Sequence, residues 1–285
     1  MQKMSGLDGE LCMAKITYEE VIRAWKKKAV RSVADLDVAL FDYRVLFAYN
    51  SNKIEDAGVS LHQTREIFEN GKVVGYTGDL RALFETENQK VCYEFLKDKI
   101  IDKAPVTGEL IREIHEKLCH GCYDEVRWGK GERPGEYKKN YYGVGLSVGV
   151  PPEDVESEIE FICKELTEVE EEHFAAANDE TSEDTGFKDA EAILKIASWF
   201  HLNFERIHAF ADGNGRVGRT LLNYILMVHN LPPTIIFDED KKTYYMALEV
   251  FDHSDKIDGF VAFLKEQMVK SWVRKTPAGK EFVAL

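Results

Sequence analysis

The sequence predicts a mainly α-helical single domain that carries one small β-hairpin. Apolar residues recur with helical spacing along most of the 285-residue chain. Hydrophobic residues make up 44% of the chain and charged residues 31%, which is typical of a folded protein with a buried core. One stretch departs from helical spacing, residues 129–152, GKGERPGEYKKNYYGVGLSVGVPP. Its glycines, aromatic residues and short alternating runs favour a hairpin or an ordered flap.

Three helices are predicted in the first half of the chain. The first spans about Asp35 to Asp56, and Gly58 is placed to end it. Its apolar face consists of Leu36, Ala39, Leu40, Tyr43, Leu46, Phe47 and Asn50. The second runs from Leu80 to about Lys99, with an inward face formed by Leu83, Phe84, Val91 and Phe95. The third follows an N-cap at Asp102 or Thr107 and has an apolar stripe of Leu110, Ile111, Ile114 and Leu118.

The second half is predicted to be helical apart from one link. The prolines and acids of residues 151–154 suit the first turn of a helix, whereas the acidic, Ser/Thr-rich segment 169–186 is predicted to be a solvated link. Two core helices follow, and the second ends at the prolines of residues 230–233. Their stripes are Ile193, Ile196, Ala197, Phe200 and Phe204, then Val217, Leu221, Tyr224, Ile225 and Val228. A last helical pair covers about Lys241 to Phe251 and Asp255 to Trp272.

The charge balance excludes one class of partner. Lys and Arg number 37 against 51 Asp and Glu, a net charge of −14, whereas broad nucleic-acid binding needs a basic footprint. No apolar run approaches the ~18 residues of a membrane span, and the N-terminal residues contain no apolar signal core. We therefore expect a cytoplasmic protein that binds neither nucleic acid nor membrane.

The five cysteines are scattered along the chain, which suits reduced thiols better than a disulfide framework. Cys119 and Cys122, beside His115, offer half of a zinc site. A closed zinc site needs four ligands, and the sequence supplies no second pair at suitable spacing. We therefore favour free thiols at a helix end.

The strongest functional signal is the connection between the two core helices, residues 208–219, HAFADGNGRVGR, hereafter the signature segment. Glycines at a helix start let an anion approach backbone N–H groups, and the helix dipole favours negative charge there. Arg216 and Arg219 carry forked donors that suit phosphates. Asp212 is a candidate tether for Mg²⁺, which prefers oxygen ligands and substrate phosphates. His208 is a candidate general base because the ordinary histidine pKa lies near neutrality.

A simple turn does not explain this segment. A lone GxG is more often a turn than a phosphate-binding loop, and Phe210 is expected to pin the segment to the core. Packing alone would not gather a histidine, an acid and two arginines around Gly213-Asn214-Gly215. We therefore interpret the segment as a catalytic phosphate-binding loop.

The signature segment resembles the signature of the Fic (filamentation induced by cAMP) family, HxFx[D/E]GNGRxxR. Its specified positions are all matched, by His208, Phe210, Asp212, Gly213, Asn214, Gly215, Arg216 and Arg219. The resemblance extends to GEYKKN, the flap and PPEDV before the segment, to SWFHLNFERIHAF leading into it, and to TYYMALEVF and FVAFLKEQM after it. Two departures are small: Ala209 replaces the usual proline, and Lys138 stands where an arginine is common.

The resemblance implies a reaction, the transfer of AMP from ATP to a Ser, Thr or Tyr hydroxyl of a target protein or of the chain itself, with release of pyrophosphate. It implies that His208 is the general base and that Asp212 holds a Mg²⁺ ion bridging the α- and β-phosphates. The phosphates would be cradled by Gly213, Asn214 and Gly215 and neutralised by Arg216 and Arg219.

The resemblance also implies two recognition elements. Tyr244 and Tyr245 resemble the family's adenine-side positions, although burial of one or both in the core is equally compatible with the sequence. The flap, about residues 137–151, would align the target chain by strand addition.

A second stretch, Ser51-Asn52-Lys53-Ile54-Glu55-Asp56, places Ser51 and Glu55 on one helix face. Alone, it would be interpreted as a solvated helix end. Beside the signature segment, it resembles the family's inhibitory motif [S/T]xxxE[G/N], with Asp56 at the last position. The resemblance implies an inhibitory helix, about residues 35–57, whose Glu55 pairs with Arg219 at the position of the γ-phosphate.

The resemblance divides the chain into an N-terminal helical region, residues 1–78, and a Fic core, residues 79–285. Several alternatives stay open: transfer of another phosphate-linked group such as UMP or phosphocholine, removal of AMP from a target, or a nucleotide-binding regulatory module with little catalysis. A pure binder would need neither His208 nor Asp212. A homodimer is compatible with the sequence, which carries no decisive interface signal.

Overall fold

The computed structural model of the chain describes residues 15–144, 147–176, 183–277 and 281–285. These residues form twelve α-helices and two antiparallel hairpins, which confirms the predicted, mainly helical fold class. The helices are α1 (Tyr18–Lys28), α2 (Val33–Ala39), α3 (Phe41–Ile54), α4 (Leu61–Asn70), α5 (Leu80–Ile101), α6 (Gly108–Cys119), α7 (Glu125–Gly129), α8 (Val155–Ala176), α9 (Glu183–Ile207), α10 (Asn214–Val228), α11 (Lys241–Ser254) and α12 (Asp258–Trp272). The strands are β1 (Gly143–Val144), β2 (Ser147–Val148), β3 (Val273–Lys275) and β4 (Glu281–Val283). None of the described helices is long and apolar enough to cross a membrane.

The core is built around α9 and α10, the helices on either side of the signature segment. Their predicted stripes lie inside, with Phe200, Phe204, Leu221 and Ile225 all fully buried. Helices α8, α11 and α12 pack against α9, while α3, α5 and α6 pack against α10. Both ends of the signature segment are therefore anchored in rigid elements.

The single helix predicted over Asp35 to Asp56 is two helices, α2 and α3, which meet at Leu40. Leu40 leaves helical geometry, at φ −102° and ψ 11°, and stays in the core while the next side chain, Phe41, is 52% exposed. No glycine or proline marks this junction, so apolar periodicity alone could not locate it. α3 then packs against α5 and α10 and ends at Ile54.

The inner face of α5 differs from the predicted one. Phe84 is 51% exposed and Val91 is 42% exposed. The buried face carries polar side chains, among them Glu85, Thr86, Asn88 and Gln89. Buried polar groups need partners, and Glu85 pairs with Arg216 of the signature segment at 3.0 Å. The prediction was therefore wrong for Phe84 and Val91, whereas Leu83 and Phe95 are half-buried against the core. The buried face combines polar residues with apolar ones such as Cys92 and Leu96.

The acidic segment 169–186 is helical wherever the structure describes it. α8 continues to Ala176 and α9 begins at Glu183, so the predicted solvated link is wrong there, and residues 177–182 lie outside the described residues. Glutamate is a good helix former, and pairs such as Lys164 and Glu168, 3.3 Å apart, add support at helical spacing. Acidic composition therefore did not distinguish a solvated helix from a loop.

Both hairpins are short. The predicted flap contains the first, in which Gly143 pairs with Val148, and the prolines after it lead through a short 3-10 turn, Pro152–Asp154, into α8 as predicted. The second hairpin, β3 with β4, was not predicted. It follows α12 directly, and β4 contacts α1, so it joins the two ends of the described chain.

Candidate active site

The signature segment connects the end of α9 at Ile207 to the start of α10 at Asn214. Asn214 holds the connection in shape, because its side-chain amide accepts a hydrogen bond from Phe210 N at 2.9 Å and donates one to Phe210 O at 2.8 Å. Phe210 is fully buried and anchors the loop, as predicted. The chain turns through two left-handed residues, His208 at φ 53° and Gly213 at φ 84°. The amide of Asn214 is thus engaged by the loop itself.

His115 holds the loop in place through ring stacking and hydrogen bonds. Its ring stacks on Phe210 with centroids 3.7 Å apart, its Nδ1 accepts a hydrogen bond from Gly135 N at 2.8 Å, and its Nε2 lies 3.0 Å from Asp212 O. An acceptor Nδ1 assigns the proton to Nε2, which then donates to the carbonyl. Burial lowers the pKa of His115 to about 3, so the ring stays neutral and both nitrogens position the loop.

The start of α10 presents backbone N–H groups to the site. α10 has no side-chain cap, and helix geometry leaves its first N–H groups without intrahelical partners. Gly215 keeps this end open, since a Cβ there would lie 2.5 Å from Glu55 Oε1 and 2.8 Å from Arg219 Nη1. The positive end of the helix dipole attracts anions. This end of α10 therefore has the geometry of a phosphate site.

His208 lies where α9 meets the flap. Burial lowers the pKa of His208 to about 4, with the charge of Lys138 as a second cause, while Asp212 and Glu55 oppose the shift. The imidazole is therefore neutral at pH 7 and can accept a proton. Its Nδ1 is buried and makes no hydrogen bond to the described part of the chain.

The flap is fastened to the backbone on both sides of His208. Lys138 N donates to Ala209 O at 2.9 Å, and Val150 N donates to Ile207 O at 3.1 Å. These two hydrogen bonds bracket the histidine, so a chain segment bound along the flap would lie next to His208.

Two further features hold the flap close. Gly149 lies directly against the histidine, since a Cβ there would be 2.7 Å from His208 Cβ. Glu132 is 1% exposed and anchors the flap base by accepting hydrogen bonds from Lys139 N, Asn140 Nδ2 and Tyr142 OH. The two described sides of the flap are therefore held against His208 and Glu132.

Arg219 is held by the last turn of α3. Its side chain is buried, and its Nη2 donates to Glu55 Oε1 at 2.7 Å. Ser51 supplies two more acceptors, its Oγ at 3.1 Å from Nε and its carbonyl oxygen at 2.9 Å from Nη2. The structure thus brings together three predicted residues that lie 164 and 168 positions apart in the sequence.

The two predicted adenine-side tyrosines occupy different environments. Tyr244 is 1% exposed, and its hydroxyl lies 3.0 Å from His201 Nε2, so Tyr244 belongs to the core. Tyr245 is 45% exposed, and burial together with the charge of Glu55 raises the pKa of its hydroxyl. Tyr245 therefore offers an accessible ring near Glu55, and its adenine role stays a prediction.

Glu205 is a buried acid that the sequence analysis missed. Burial raises the pKa of Glu205 to about 7, the charge of Arg219 opposes the shift, and Glu55 adds to it. Its Oε1 is shielded from solvent, has no hydrogen-bond partner in the described chain, and lies against Gly218. Two acids, Glu55 and Glu205, thus flank one arginine.

Asp212 is contacted by two arginines from outside the signature segment. Arg81 Nη2 lies 2.6 Å and Arg127 Nη2 lies 3.4 Å from Asp212 Oδ2. The other oxygen, Oδ1, accepts from Gly213 N at 2.7 Å and lies 3.5 Å from Arg216 Nη2. Burial raises the pKa of Asp212, but the charges of these arginines outweigh it and hold the pKa below its usual value. Asp212 is therefore an ionised carboxylate.

The surroundings of Asp212 decide whether a cation fits there. A carboxylate beside an anion-binding helix end has the chemistry of a Mg²⁺ ligand. However, two of the about four hydrogen bonds that an ionised carboxylate accepts come from Arg81 and Gly213 N, and the guanidinium groups of Arg127 and Arg216 form ion pairs with it at 3.4 Å and 3.5 Å. A divalent cation does not fit at Asp212 while all of these donors stay in place.

No other metal site is evident in the part of the chain that the structure describes. The described residues contain no group of three or more His, Cys, Asp and Glu that could hold a metal ion. Cys119 and Cys122 are buried free thiols, and a Cβ on Gly213 would collide with Cys119 Sγ. Cys119 is therefore packed tightly against Gly213 of the signature segment.

The structure gathers most of the predicted site around the start of α10. Tyr244 is the exception, since its ring is enclosed by the core. The site also contains residues that the sequence analysis did not single out as functional, namely Arg81, Glu85, Arg127, Lys138 and Glu205. The family commonly has an arginine at the position of Lys138, and this was the one sequence signal that could have indicated a functional role for Lys138.

Comparisons with known proteins agree with this geometry. Residues 105–226 match the family model described as the Fic/DOC family. The protein adenylyltransferase Fic of Nematostella vectensis is 28% identical over 246 residues, which cover 82% of this chain and 50% of the relative. The protein adenylyltransferase fic-1 of Caenorhabditis elegans is 29% identical over 212 residues, which cover 74% of this chain and 37% of the relative. This chain thus spans about half or less of these relatives' length.

Solved structures share the fold. A Fic domain containing signaling protein from Bacteroides thetaiotaomicron superposes with a TM-score of 0.70 at 24% identity, covering 89% of this chain and 93% of that one. Fic-1 from C. elegans superposes with a TM-score of 0.64 at 23% identity, covering 89% and 70%. At these identities the likeness establishes the fold.

Fold and site define a mainly helical protein in which a hairpin flap lies beside a loop at a helix start whose backbone N–H groups suit an anion. More specifically, residues 105–226 match the Fic/DOC family model, and the chain is similar in sequence to proteins named protein adenylyltransferase Fic and in fold to solved Fic-domain structures. Helices α1 to α5, including the helix that holds Arg219, lie outside the matched residues.

Proposed function

We propose that this protein is a self-inhibited protein adenylyltransferase. It transfers AMP from ATP to a Ser, Thr or Tyr hydroxyl of a target protein, or of itself, and releases pyrophosphate. The observation that carries the proposal is a neutral histidine, His208, placed beside an anion-binding helix start and under a flap. The names of the relatives from N. vectensis and C. elegans support the same activity.

His208 acts on the attacking hydroxyl. The target hydroxyl gives its proton to the neutral imidazole while its oxygen bonds to the α-phosphorus of ATP. The bond from that phosphorus to the bridging oxygen breaks, and pyrophosphate leaves with the electron pair. A base whose pKa is lowered is protonated in only a small fraction of molecules at pH 7, so it is available for this step.

The start of α10 stabilises the phosphates. The backbone N–H groups of Asn214 and Gly215 and the helix dipole bind the negative charge, while the N–H of Gly213 donates to Asp212. Asn214 keeps this backbone in place through Phe210. Arg216 and Arg219 add positive charge. Positioning and charge stabilisation account for most of the rate in transfers of this kind.

We include Mg²⁺ in the proposal, with Asp212 as its ligand. When bound, the cation would neutralise phosphate charge and orient the leaving group. Since the oxygens of Asp212 are occupied by N–H donors, a cation binds there only after a donor has moved.

Glu55 supplies the inhibition. It pairs with Arg219 at 2.7 Å directly above Gly215, so it occupies space and charge that the outer phosphates of ATP need. Bound nucleotide is then displaced or held in an unproductive pose. Ser51 holds Arg219 beside Glu55, and α3 keeps Glu55 in place through its packing on α5 and α10.

The remaining elements of the proposal concern partners. The flap receives the target by main-chain pairing, and Tyr245 contacts the adenine. The division at residues 78 and 79, a cytoplasmic location and a homodimer stay predictions.

The proposal predicts that Glu55→Gly accelerates AMP transfer. Removing the carboxylate frees Arg219 for the nucleotide. The Glu55 side chain is 37% exposed, so the loss corresponds to one charge-assisted hydrogen bond of about 1.5 kcal/mol or more, and we expect a rise of roughly tenfold or more. The measurement is incorporation of labelled AMP from α-labelled ATP into the chain itself and into lysate proteins. Mass spectrometry then names the modified residue and the group transferred.

Two controls make the result specific. Asp102→Gly removes an exposed acid from the C-cap of α5, the position that Glu55 holds in α3, and leaves the rate unchanged. His208→Ala in the Glu55→Gly background lowers transfer by ~10²–10⁴-fold if His208 is the base. A Glu55→Gly protein no faster than the natural one rules out the inhibition, and label from UTP but not from ATP rules out adenylyl transfer.

A further inference from the structure

The carboxylate of Asp212 is engaged on both oxygens. Arg81 and Arg127 contact Oδ2 at 2.6 Å and 3.4 Å, while Gly213 N and Arg216 contact Oδ1 at 2.7 Å and 3.5 Å. Arg81 and Gly213 N donate hydrogen bonds to the carboxylate, while Arg127 and Arg216 form ion pairs with it. A cation therefore reaches Asp212 only if one of the donors leaves.

The four donors differ in their freedom to move. Gly213 N belongs to the backbone, and Arg216 is 2% exposed and paired with Glu85 at 3.0 Å. The side chains of Arg81 and Arg127 are 35% and 26% exposed. They come from the first turn of α5 and from α7, so they reach Asp212 from outside the signature segment.

Both movable arginines have a second acidic partner. Arg81 Nε pairs with Glu85 at 2.9 Å, and Arg127 Nη1 pairs with Asp124. When either arginine releases Asp212, it keeps this other ion pair. Movement away from Asp212 therefore does not leave an isolated guanidinium group.

The local charge does not attract a free cation. Three guanidinium groups, those of Arg81, Arg127 and Arg216, are matched by three carboxylates, those of Asp212, Glu85 and Asp124. The cluster therefore has no excess negative charge to draw in a free divalent ion. A cation that arrives with nucleotide phosphates brings compensating negative charge and can take the place of the arginines.

We propose that Arg81 and Arg127 bind the carboxylate of Asp212 in the resting protein and that they compete with Mg²⁺ for it. This inference rests on the proposed role of Asp212 as the Mg²⁺ ligand. The arginine pair restrains the metal end of the site, whereas Glu55 restrains the Arg219 end, so the two contacts act on different steps of nucleotide binding.

Calorimetry measures this competition without any turnover. α,β-Methylene ATP, whose AMP cannot be transferred, is titrated into Glu55→Gly protein once with Mg²⁺ and once with EDTA. The ratio of the two affinities is the gain that the metal provides. In the Arg81→Gln/Arg127→Gln variant this gain rises roughly tenfold or more, because charge-assisted hydrogen bonds no longer hold Asp212.

Matched variants control the measurement. Arg65 and Arg206 also pair with two acids each, at Asp42 and Glu69 and at Asp252 and Asp255, so Arg65→Gln/Arg206→Gln leaves the gain unchanged. Thermal unfolding checks that each variant folds. If the glutamine pair does not fold, Arg81→Lys/Arg127→Lys is used, since lysine keeps the charge but loses the forked contact and still raises the gain.

The outcomes separate the inference from the proposed function. An unchanged gain overturns the inference, as does nucleotide binding that weakens equally with Mg²⁺ and with EDTA, which would make both arginines phosphate ligands. In either case Asp212→Asn still abolishes the gain if Asp212 binds the metal. A gain that survives Asp212→Asn instead overturns the role of Asp212 itself.

Discussion

Lys138 shows how one buried side chain sets the chemistry of His208. It is 2% exposed, its Nζ donates to Ile207 O at 3.3 Å, and burial lowers its own pKa to about 8. It is therefore still charged at pH 7, and that charge adds to burial in lowering the pKa of His208. A lysine at the position where the family commonly has arginine thus acts on the proposed base.

This contact predicts an unusual pH dependence. The Glu55→Gly enzyme is expected to transfer AMP at a constant rate from pH 8 down to about pH 5.5, since the pKa of a buried imidazole lies below that range. Lys138→Met moves the acid limb upward by about one pH unit, because burial remains but the neighbouring charge is gone. The measurement is the pH profile of AMP incorporation.

The exposed neighbour provides the control for Lys138. Lys139 lies beside it in sequence and pairs with Glu136, so Lys139→Met leaves the acid limb in place. An inflection near the ordinary histidine pKa of about 6.5 in the enzyme with Lys138 intact would contradict the buried, neutral base.

Asp56 explains the departure from the family's inhibitory motif. The motif favours Gly or Asn at this position, and Asp56 has φ 61°, the left-handed conformation that those residues adopt most readily. Aspartate tolerates this conformation, and its carboxylate pairs with Lys241 at 2.9 Å. The substitution therefore keeps the turn that brings Glu55 to Arg219.

At the scale of elements, α9 and α10 were predictable because their signals are local. Each has an apolar stripe, and glycines mark the turn between them. α5 was not predictable in the same way, because the residues that justify its polar inner face, such as Arg216, lie more than a hundred positions away. The break at Leu40 likewise depends on packing by other helices, which no local signal records.

The close approach of α9 and α10 depends on a glycine that the signature does not specify. A Cβ on Gly218 would collide with Glu205 Oε1 and lie 3.1 Å from Phe204 Cδ1. Gly218→Ala is therefore expected to lower the free energy of unfolding by about 1–3 kcal/mol, the usual cost of overpacking. Urea denaturation measures this change.

Gly259 is the matched control for Gly218. It lies in α12, and a Cβ added there would meet nothing within 4 Å, so Gly259→Ala stabilises the protein by roughly 0.5–1 kcal/mol through helix propensity. If both alanine variants are stabilised alike, the packing account of Gly218 is wrong.

At the scale of the whole molecule, the site is assembled from segments far apart in the chain. The signature segment supplies the loop, α3 supplies Glu55, α5 and α7 supply the arginines at Asp212, and the flap closes over His208. The family resemblance predicted the first, second and last of these because their motifs are recognisable. The arginine pair carries no motif, so its role depends on three-dimensional contacts.

Buried neutral histidines make the stability of the whole fold depend on pH. Burial lowers the pKa of His115 and His201 to about 3 and that of His208 to about 4. In the unfolded chain each has a pKa near 6.5, so between about pH 6.5 and pH 4 the unfolded state binds more protons and stability falls with falling pH. Glu205 acts in the opposite direction, because its pKa is raised to about 7 in the folded protein. Over this pH range the folded state therefore binds one proton at Glu205 that the unfolded state does not, and this proton offsets one of the three histidine protons.

The net difference of about two protons predicts that the free energy of unfolding falls by up to ~2.7 kcal/mol per pH unit in this window. Urea denaturation at several pH values between 7.5 and 5 measures the slope. His201→Phe removes one buried histidine, which stacks on Phe260, and lowers the slope by about one proton, or ~1.4 kcal/mol per unit. His62→Gln changes an exposed histidine and leaves the slope as it is. Equal slopes in both variants would show that buried histidines do not set the acid limit of this fold.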